Sequence, residues 1–245
     1  MTTTRIRSCG EAALIVDCAD LAEAVELAAG LEQLRPDAVD VVAAARTVLV
    51  TARGASALPE LRRSVEELLD RDPLHRDLLR QGPPPAGGGG GAAEPGVQAP
   101  EVILDVRYDG PDLATVAELV GISTEALVRR HTSITWRAAF GGFAPGFFYL
   151  VDQRELAGRE SGGRESGGRE LAEPLPPVPR LESPRPRVPA GSVGLADRFC
   201  AVYPGSSPGG WRLLGTTDAL LWDVDRPDPA LLAPGMTVRF REVPR

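Results

Sequence analysis

Ile134–Leu150 reads ITWRAAFGGFAPGFFYL. A short apolar run, Ile134–Phe140, breaks on a stretch dense in Gly and Pro. The same punctuation recurs downstream around Gly194–Ala196, Trp211–Leu214, Ala219–Asp223 and Thr237–Phe240. Short apolar runs at this spacing predict strands closing into a complete or nearly complete β-barrel.

Upstream of that stretch, Glu101–Tyr108 (EVILDVRY) alternates as a strand. Pro111 is placed to open a helix with Leu113, Val116, Ala117 and Val120 on one face. Ser123 is placed to cap another short helix ending near His131. Within the barrel region the dipeptide Arg-Glu recurs from Arg154 at positions 159, 164 and 169. A five-residue period matches neither helix nor strand, so residues 154–170 read as a disordered insertion. Leu175–Pro189 is Pro-rich and reads as extended chain.

Residues 1–80 form a separate α+β pattern. Ala12–Cys18 is an apolar strand. Asp20 is a candidate N-cap for a helix carrying Leu21, Val25, Ala28 and Leu31. Val39–Ala43 and Thr47–Ala52 are β-branched runs that Ala44–Arg46 would turn into a hairpin. Ser56 is a candidate cap for a second helix with Leu58, Leu61, Val65 and Leu68. The order β-α-β-β-α predicts a small ferredoxin-like layer. Between the two patterns, residues 81–100 contain five consecutive glycines and no bulky apolar content, and read as a flexible linker. The expected fold class is α+β, with domains at 1–80 and 101–245.

Composition narrows the chemistry. Of the 245 residues 43% are hydrophobic and 25% charged, as in a soluble globular protein. The net charge of −7 argues against a general nucleic-acid binder. All 27 basic residues are Arg, which excludes a Walker A lysine, a Schiff-base lysine and a lysine base within this chain. The chain has no Asn, hence no N-glycosylation acceptor. Cys9, Cys18 and Cys200 are scattered and odd in number, which suits reduced thiols. Glu11 and Asp17 interrupt the place a signal peptide would need its apolar segment, and no apolar run approaches the roughly 20 residues of a membrane span. The expected location is the cytoplasm.

Candidate chemistry concentrates in three blocks: Phe140–Leu150, Arg187–Gly194 (RVPAGSVG) and Tyr203–Trp211 (YPGSSPGGW). Their glycines permit positive φ and close approach of a ligand to the backbone, and their amides could hold anions. The same residues could equally be tight turns of a small barrel. His131 is the one candidate base of the second unit, with a helix C-terminal role as the alternative. His75 has no motif around it. Arg137 and Arg187 are candidate phosphate clamps, with Gly191-Ser192 and Gly209-Gly210 supplying backbone donors. Phe143, Phe147, Tyr149 and Trp211 could line an apolar pocket or fill the core. Asp105, Asp109 and Asp152 are candidate Mg²⁺ ligands, although no carboxylate pair stands out. Ser192 and Ser207 lack an Asp–His partner set.

Together these blocks resemble the family that contains the B subunit of the bacterial 5-oxoprolinase, allophanate hydrolase subunit 1 and the KipI-type histidine-kinase inhibitor. The residues that carry the likeness are His131-Thr132, Phe140, Gly142-Phe143, Pro145-Gly146-Phe147, Tyr149-Leu150, Val188–Gly194, Tyr203-Pro204 and Ser207–Trp211. The closing LLAPGMTVRF and, more weakly, Gly10-Glu11 with Ala13-Leu14 agree. The resemblance implies a cyclophilin-like barrel after the ferredoxin-like unit. It also implies ATP with Mg²⁺ as cofactor and 5-oxoproline as substrate. The partners it implies are the homologous KipA-type protein, which is the C subunit of 5-oxoprolinase, and the A subunit. The site it implies comprises His131 and Arg187 as catalytic residues. Around them would stand Arg137, Phe143, Pro145, Gly146, Phe147, Tyr149, Pro189, Ala190, Gly191, Ser192, Ser207, Pro208, Gly209, Gly210 and Trp211. A kinase inhibitor and an allophanate hydrolase or urea-amidolyase component are the alternatives. Two departures stand out: Phe148 where the family has Pro, and Phe199-Cys200 where it has Gln-Thr.

Overall fold

The computed structural model describes residues 5–32, 38–70, 101–156 and 173–244, and the chain divides into two compact units, within residues 1–98 and 99–245. The expected linker at 81–100, most of the Arg-Glu repeat and His75 lie outside the described residues. No helix among the described residues is long and apolar enough to cross a membrane.

The first unit contains β1 (Ile6–Cys9), β2 (Ala13–Asp17), α1 (Leu21–Glu32), β3 (Ala38–Ala43), β4 (Thr47–Ala52) and α2 (Leu58–Asp70). Its antiparallel sheet has the order β1-β2-β4-β3. Leu14 and Val16 of β2 and Val48 and Val50 of β4 alternate onto the face covered by Leu27 and Leu31 of α1 and by Leu61 and Val65 of α2. Asp20 caps α1, its Oδ1 accepting from the Glu23 amide at 2.9 Å. The buried stripe of α1 runs through Ala24 and Leu27; the expected Ala28 packs partly buried against the same core, whereas Val25 does not join it. Ser56 is not a helix cap: it sits inside a 3₁₀ turn, Ala55–Ala57, that leads into α2. The strand β1 has no counterpart in the sequence pattern. It occupies the edge that the last strand of a βαββαβ layer would fill, so the ferredoxin-like layer is completed from the N-terminal side.

The second unit begins with β5 (Glu101–Val106), α3 (Leu113–Leu119) and α4 (Thr124–Ser133). Then come β6 (Trp136–Gly141), β7 (Phe148–Asp152), the short α5 (Gln153–Leu156), β8 (Arg185–Val188), β9 (Ser192–Ala196), β10 (Phe199–Val202), β11 (Ser207–Gly209), β12 (Arg212–Thr216) and β13 (Thr237–Glu242). Seven strands form one sheet in the order β12-β9-β10-β7-β6-β13-β5, and β8 and β11 make a separate two-stranded ribbon. The outermost strands meet at one point. Arg107, just past β5, exchanges both backbone hydrogen bonds with Thr216 of β12, at 2.9 and 2.8 Å. That bridge nearly closes the sheet into a barrel. Pro111 precedes α3 without entering it; the N-cap position belongs to Asp112. Ser123 does cap α4, accepting from the Ala126 amide. Ala219–Asp223, expected as a strand, forms only an isolated bridge, Trp222 to Ala230.

The barrel sheet has two apolar faces. Alternate residues Leu150, Val193, Leu195, Cys200, Val202 and Leu214 point to the main core, with Val116, Leu127 and Trp136. Their neighbours Ala196, Ala201, Tyr203 and Leu213 point the other way, into a second cluster with Phe147, Val188 and Trp211. The period-two alternation of strands produces this division.

Candidate functional site

The second cluster is where the three glycine- and proline-rich blocks meet. Residues 142–147 connect β6 to β7, residues 189–191 connect β8 to β9, and residues 203–211 carry β11 between β10 and β12. Phe147 stands at the centre: its ring lies 5.3 Å from Tyr149, 5.4 Å from Tyr203 and 5.5 Å from Trp211, all edge-to-face. Tyr149 stacks on Phe140 at 4.5 Å. Such pairs add about 0.5–1.5 kcal/mol each beyond burial. Phe147 and Trp211 are core residues, Tyr149 is half-buried, and Phe143 stands 62% exposed.

Two glycines are fixed by geometry. Gly191 has φ +77°, and a Cβ there would fall on the carbonyl oxygen of Thr217. A Cβ at Gly209 would meet the Tyr203 hydroxyl. Both keep the connecting loops close to the sheet. The amide of Gly191 donates to Tyr203 O at 2.8 Å and that of Ser192 to Pro189 O at 3.4 Å. These two donors are therefore engaged within the loop, and Ser192 is buried. Pro189, Ala190 and Pro208 are exposed at the rim; Pro145 is exposed in the β6–β7 loop. The Ser207 hydroxyl is buried without a hydrogen-bond partner among the described residues, and Gly210 lends its carbonyl to Leu181.

The arginines differ. Arg187 is exposed, and its Nε donates to the Ser206 hydroxyl at 3.1 Å. Arg137 is half-buried; its contact is a 3.4 Å bond to Thr237 Oγ1, and burial pushes its pKa down. Two arginines that no sequence motif marks also reach this region. The Arg180 guanidinium lies 5.8 Å over the Trp211 ring. Arg185 donates to Asp112 Oδ1 at 2.7 Å, and Asp112 Oδ2 accepts from the Leu213 amide at 2.6 Å. Asp112 makes no capping bond to its own helix, so this N-cap aspartate instead ties β8 to β12. The pairing spans 73 residues, too far for local pattern to reveal it.

His131 is elsewhere. It belongs to α4 and is completely buried in the main core, between the Trp136 and Phe240 rings. Its Nδ1 lies 2.8 Å from the Tyr108 hydroxyl and its Nε2 3.4 Å from Cys200 Sγ. Burial drives its pKa down to about 3 and raises the Tyr108 and Cys200 values. The ring is thus neutral, with one nitrogen donating and the other accepting. This arrangement joins α4 to the segment just past β5 and to β10, and leaves no path from His131 to the aromatic cluster among its hydrogen bonds. The carboxylates expected for Mg²⁺ are also engaged: Asp105 with Arg241, Asp152 with Arg154, and Asp109 with the Thr216 hydroxyl. No group of three or more His, Cys, Asp or Glu side chains among the described residues could hold a metal ion.

A nearly closed barrel with three glycine–proline loops gathered on one face, in a chain that also carries a small antiparallel α+β unit, is a carboxyltransferase-like architecture. The family model "Carboxyltransferase domain, subdomain C and D" matches residues 4–158 and 169–232, and the chain belongs to that family. Among its relatives, the B subunit of 5-oxoprolinase from Escherichia coli O157:H7 is 42% identical over 131 residues, which are 54% of this chain and 51% of that protein. The chain spans about half the length of the curated relatives it matches. The crystal structure of TTHA0988 is 30% identical with a TM-score of 0.62, covering 98% of this chain and 40% of that one. The Kluyveromyces lactis urea carboxylase shares the fold at 14% identity and a TM-score of 0.63, covering 98% of this chain and 22% of that one.

Proposed function

We propose that the chain is the B subunit of an ATP-dependent 5-oxoprolinase, working in a cytoplasmic complex with a KipA-type C subunit and an A subunit. The observation that carries this reading is the 42% identity to the Escherichia coli protein of that name. The gathering of the three motif blocks around Phe147 supports it. In this reading ATP enters as a substrate with its magnesium and supplies the phosphoryl group that makes the lactam carbon electrophilic. The described residues fit the anionic part of such a ligand and not a resident metal. Arg187 is exposed at the mouth of the β8–β11 ribbon, and Arg137 brings a half-buried cation whose hydrogen bond goes to a hydroxyl and not to a carboxylate.

The test is 5-oxoproline-dependent ATP turnover in the complex reconstituted with the C and A subunits. The isolated chain should show little or none, because it holds neither a Walker loop nor a lysine. Arg187→Ala should lower the assembled rate about tenfold to a hundredfold, the effect of losing a charge-assisted contact in the transition state. Its melting curve should stay near normal, since an exposed arginine contributes within about 0.5 kcal/mol. An unchanged rate would remove Arg187 from the site. Turnover driven by allophanate instead of 5-oxoproline, or inhibition of a histidine kinase without turnover, would replace the proposal.

A further inference from the structure

Half of the large apolar side chains that stand exposed in the described residues lie in two neighbouring segments: Phe143 (62%), Leu220 (54%), Trp222 (37%) and Val224 (75%). Glycine explains the proximity of the segments. Gly146, at φ +79°, passes so close to the second segment that a Cβ would press on Trp222 Cβ at 2.9 Å and the Leu221 carbonyl at 3.0 Å.

The second segment presents one bridge residue, Trp222, before the chain turns through Val224 and Asp225, where Arg226 N donates to Asp223 O at 3.2 Å. Leu231 N donates to Leu221 O and Asp223 N to Pro229 O, each at 2.9 Å, flanking the antiparallel Trp222–Ala230 bridge. In that pattern the amide and carbonyl of Trp222 point away from the Pro229–Leu231 strand. Neither has a partner among the described residues. Two positions before, the Leu220 carbonyl is covered by Arg226 Nη2 at 2.8 Å, which ends the open edge on that side. Leu221 is buried in the barrel core, whereas Leu220, Trp222 and Val224 alternate onto solvent. An apolar face with unpaired main-chain groups is the arrangement that receives an added strand.

The first segment is held outward under strain. Phe143 has φ +73°, a conformation that a bulky residue adopts only under strain. The loop's own bonds impose it: Gly142 N to Phe147 O, Ala144 N to Gly142 O and Phe147 N to Ala144 O, at 3.0–3.1 Å.

We propose that Phe143 and the edge Leu220–Val224 form the surface on which a partner protein lays an extended strand of alternating apolar side chains. This rests on the 5-oxoprolinase reading, with the C subunit as the partner. The open Trp222 amide and carbonyl specify a strand rather than a helix as the occupant, because a helix has no free main-chain groups along its length to pair with them.

The experiment measures association of the chain with the C subunit by calorimetry, beside hydrogen exchange of the free and bound chain. Trp222→Glu and Phe143→Ser should each weaken binding at least tenfold with near-normal melting curves. Leu119→Ser, comparably exposed on α3, should bind like wild type. The amide of Trp222 should gain protection in the complex. Wild-type affinity in both variants, or no new protection at the Trp222 amide, would overturn this surface and leave the 5-oxoprolinase reading standing. Failure of the wild-type chain to bind the C subunit at all would overturn both.

Discussion

Acidification from pH 7 to pH 4 should destabilise the barrel unit by about 3 kcal/mol through His131 alone. The folded-state value is about 3 and the unfolded value 6.5. The unfolded chain therefore takes up the proton first, and stability falls with pH. The neutral ring's contribution is complete above pH 6.5 and is lost as the pH drops toward 3, where the accumulated loss is on the order of 5 kcal/mol. The cause is desolvation: Tyr108, Cys200, Trp136 and Phe240 surround the ring, and none of them is a carboxylate. A charged imidazole there would have no counter-ion among these neighbours. The measurement is the melting temperature of wild type and His131→Gln from pH 7.5 to 3.5. At neutral pH the variant should be the less stable. Its pH dependence should be shallower by about one proton, so the gap narrows or inverts near pH 4. Parallel curves would mean that His131 takes up its proton in the native state as readily as in the unfolded chain. The same result bears on its expected role as a base: a ring that stays neutral and sealed to pH 4 has no route to a substrate.

His131 illustrates what the sequence could and could not convey. Its position at the end of a capped helix was legible from Ser123 and the spacing of apolar residues. Its burial was not, because that depends on Tyr108 and Cys200, 23 and 69 residues away. Elements with clean alternation, such as β2, β4 and β5, were legible for the reason they fold: one face is buried. β1 was not, since Ile6 alone of its four residues is buried and the edge position demands no pattern. Ala219–Asp223 misled in the opposite sense. Its alternation is real, but the apolar residues of one face, Leu220 and Trp222, meet solvent, and periodicity cannot say which face is covered. The motif blocks were recognisable as a set. That Phe147 and Trp211 are core while Phe143 is surface follows from which side of the sheet each strand end delivers them to, and the loops' sequences do not encode that by themselves.

Asp112→Ala should cost the barrel unit about 3 kcal/mol, a fall in melting temperature of roughly 6–12 °C for a domain near 150 residues. The carboxylate is 6% exposed and serves two donors at once, Arg185 at 2.7 Å and the Leu213 amide at 2.6 Å. Its removal leaves the buried Leu213 amide without its acceptor and a partly buried guanidinium with only its 3.4 Å bond to the Trp211 carbonyl, both unfavourable. Asp112→Asn separates the two losses. An amide oxygen can still accept from Leu213 N–H, so this variant should lose only the charge-assisted part, about 1–1.5 kcal/mol. Arg185→Ala alone strands the carboxylate but keeps the Leu213 bond, and should fall between the two. The double variant Asp112→Ala/Arg185→Ala should be less damaging than the sum, with a coupling of about 1–3 kcal/mol. Additive effects would mean the pair is a surface contact that water replaces freely. The consequence for the site follows from where the pair is anchored. Arg185 begins β8, the strand that leads through Arg187 to Gly191, and Asp112 fixes it to β12, which follows Trp211. Loosening this tie releases the ribbon from the aromatic cluster, so hydrogen exchange in residues 185–188 should accelerate in Asp112→Asn even where the global melt hardly moves. A ribbon whose protection is unchanged in that variant would be held by the β8–β11 pairing alone, and the Asp112–Arg185 pair would have no part in shaping the site.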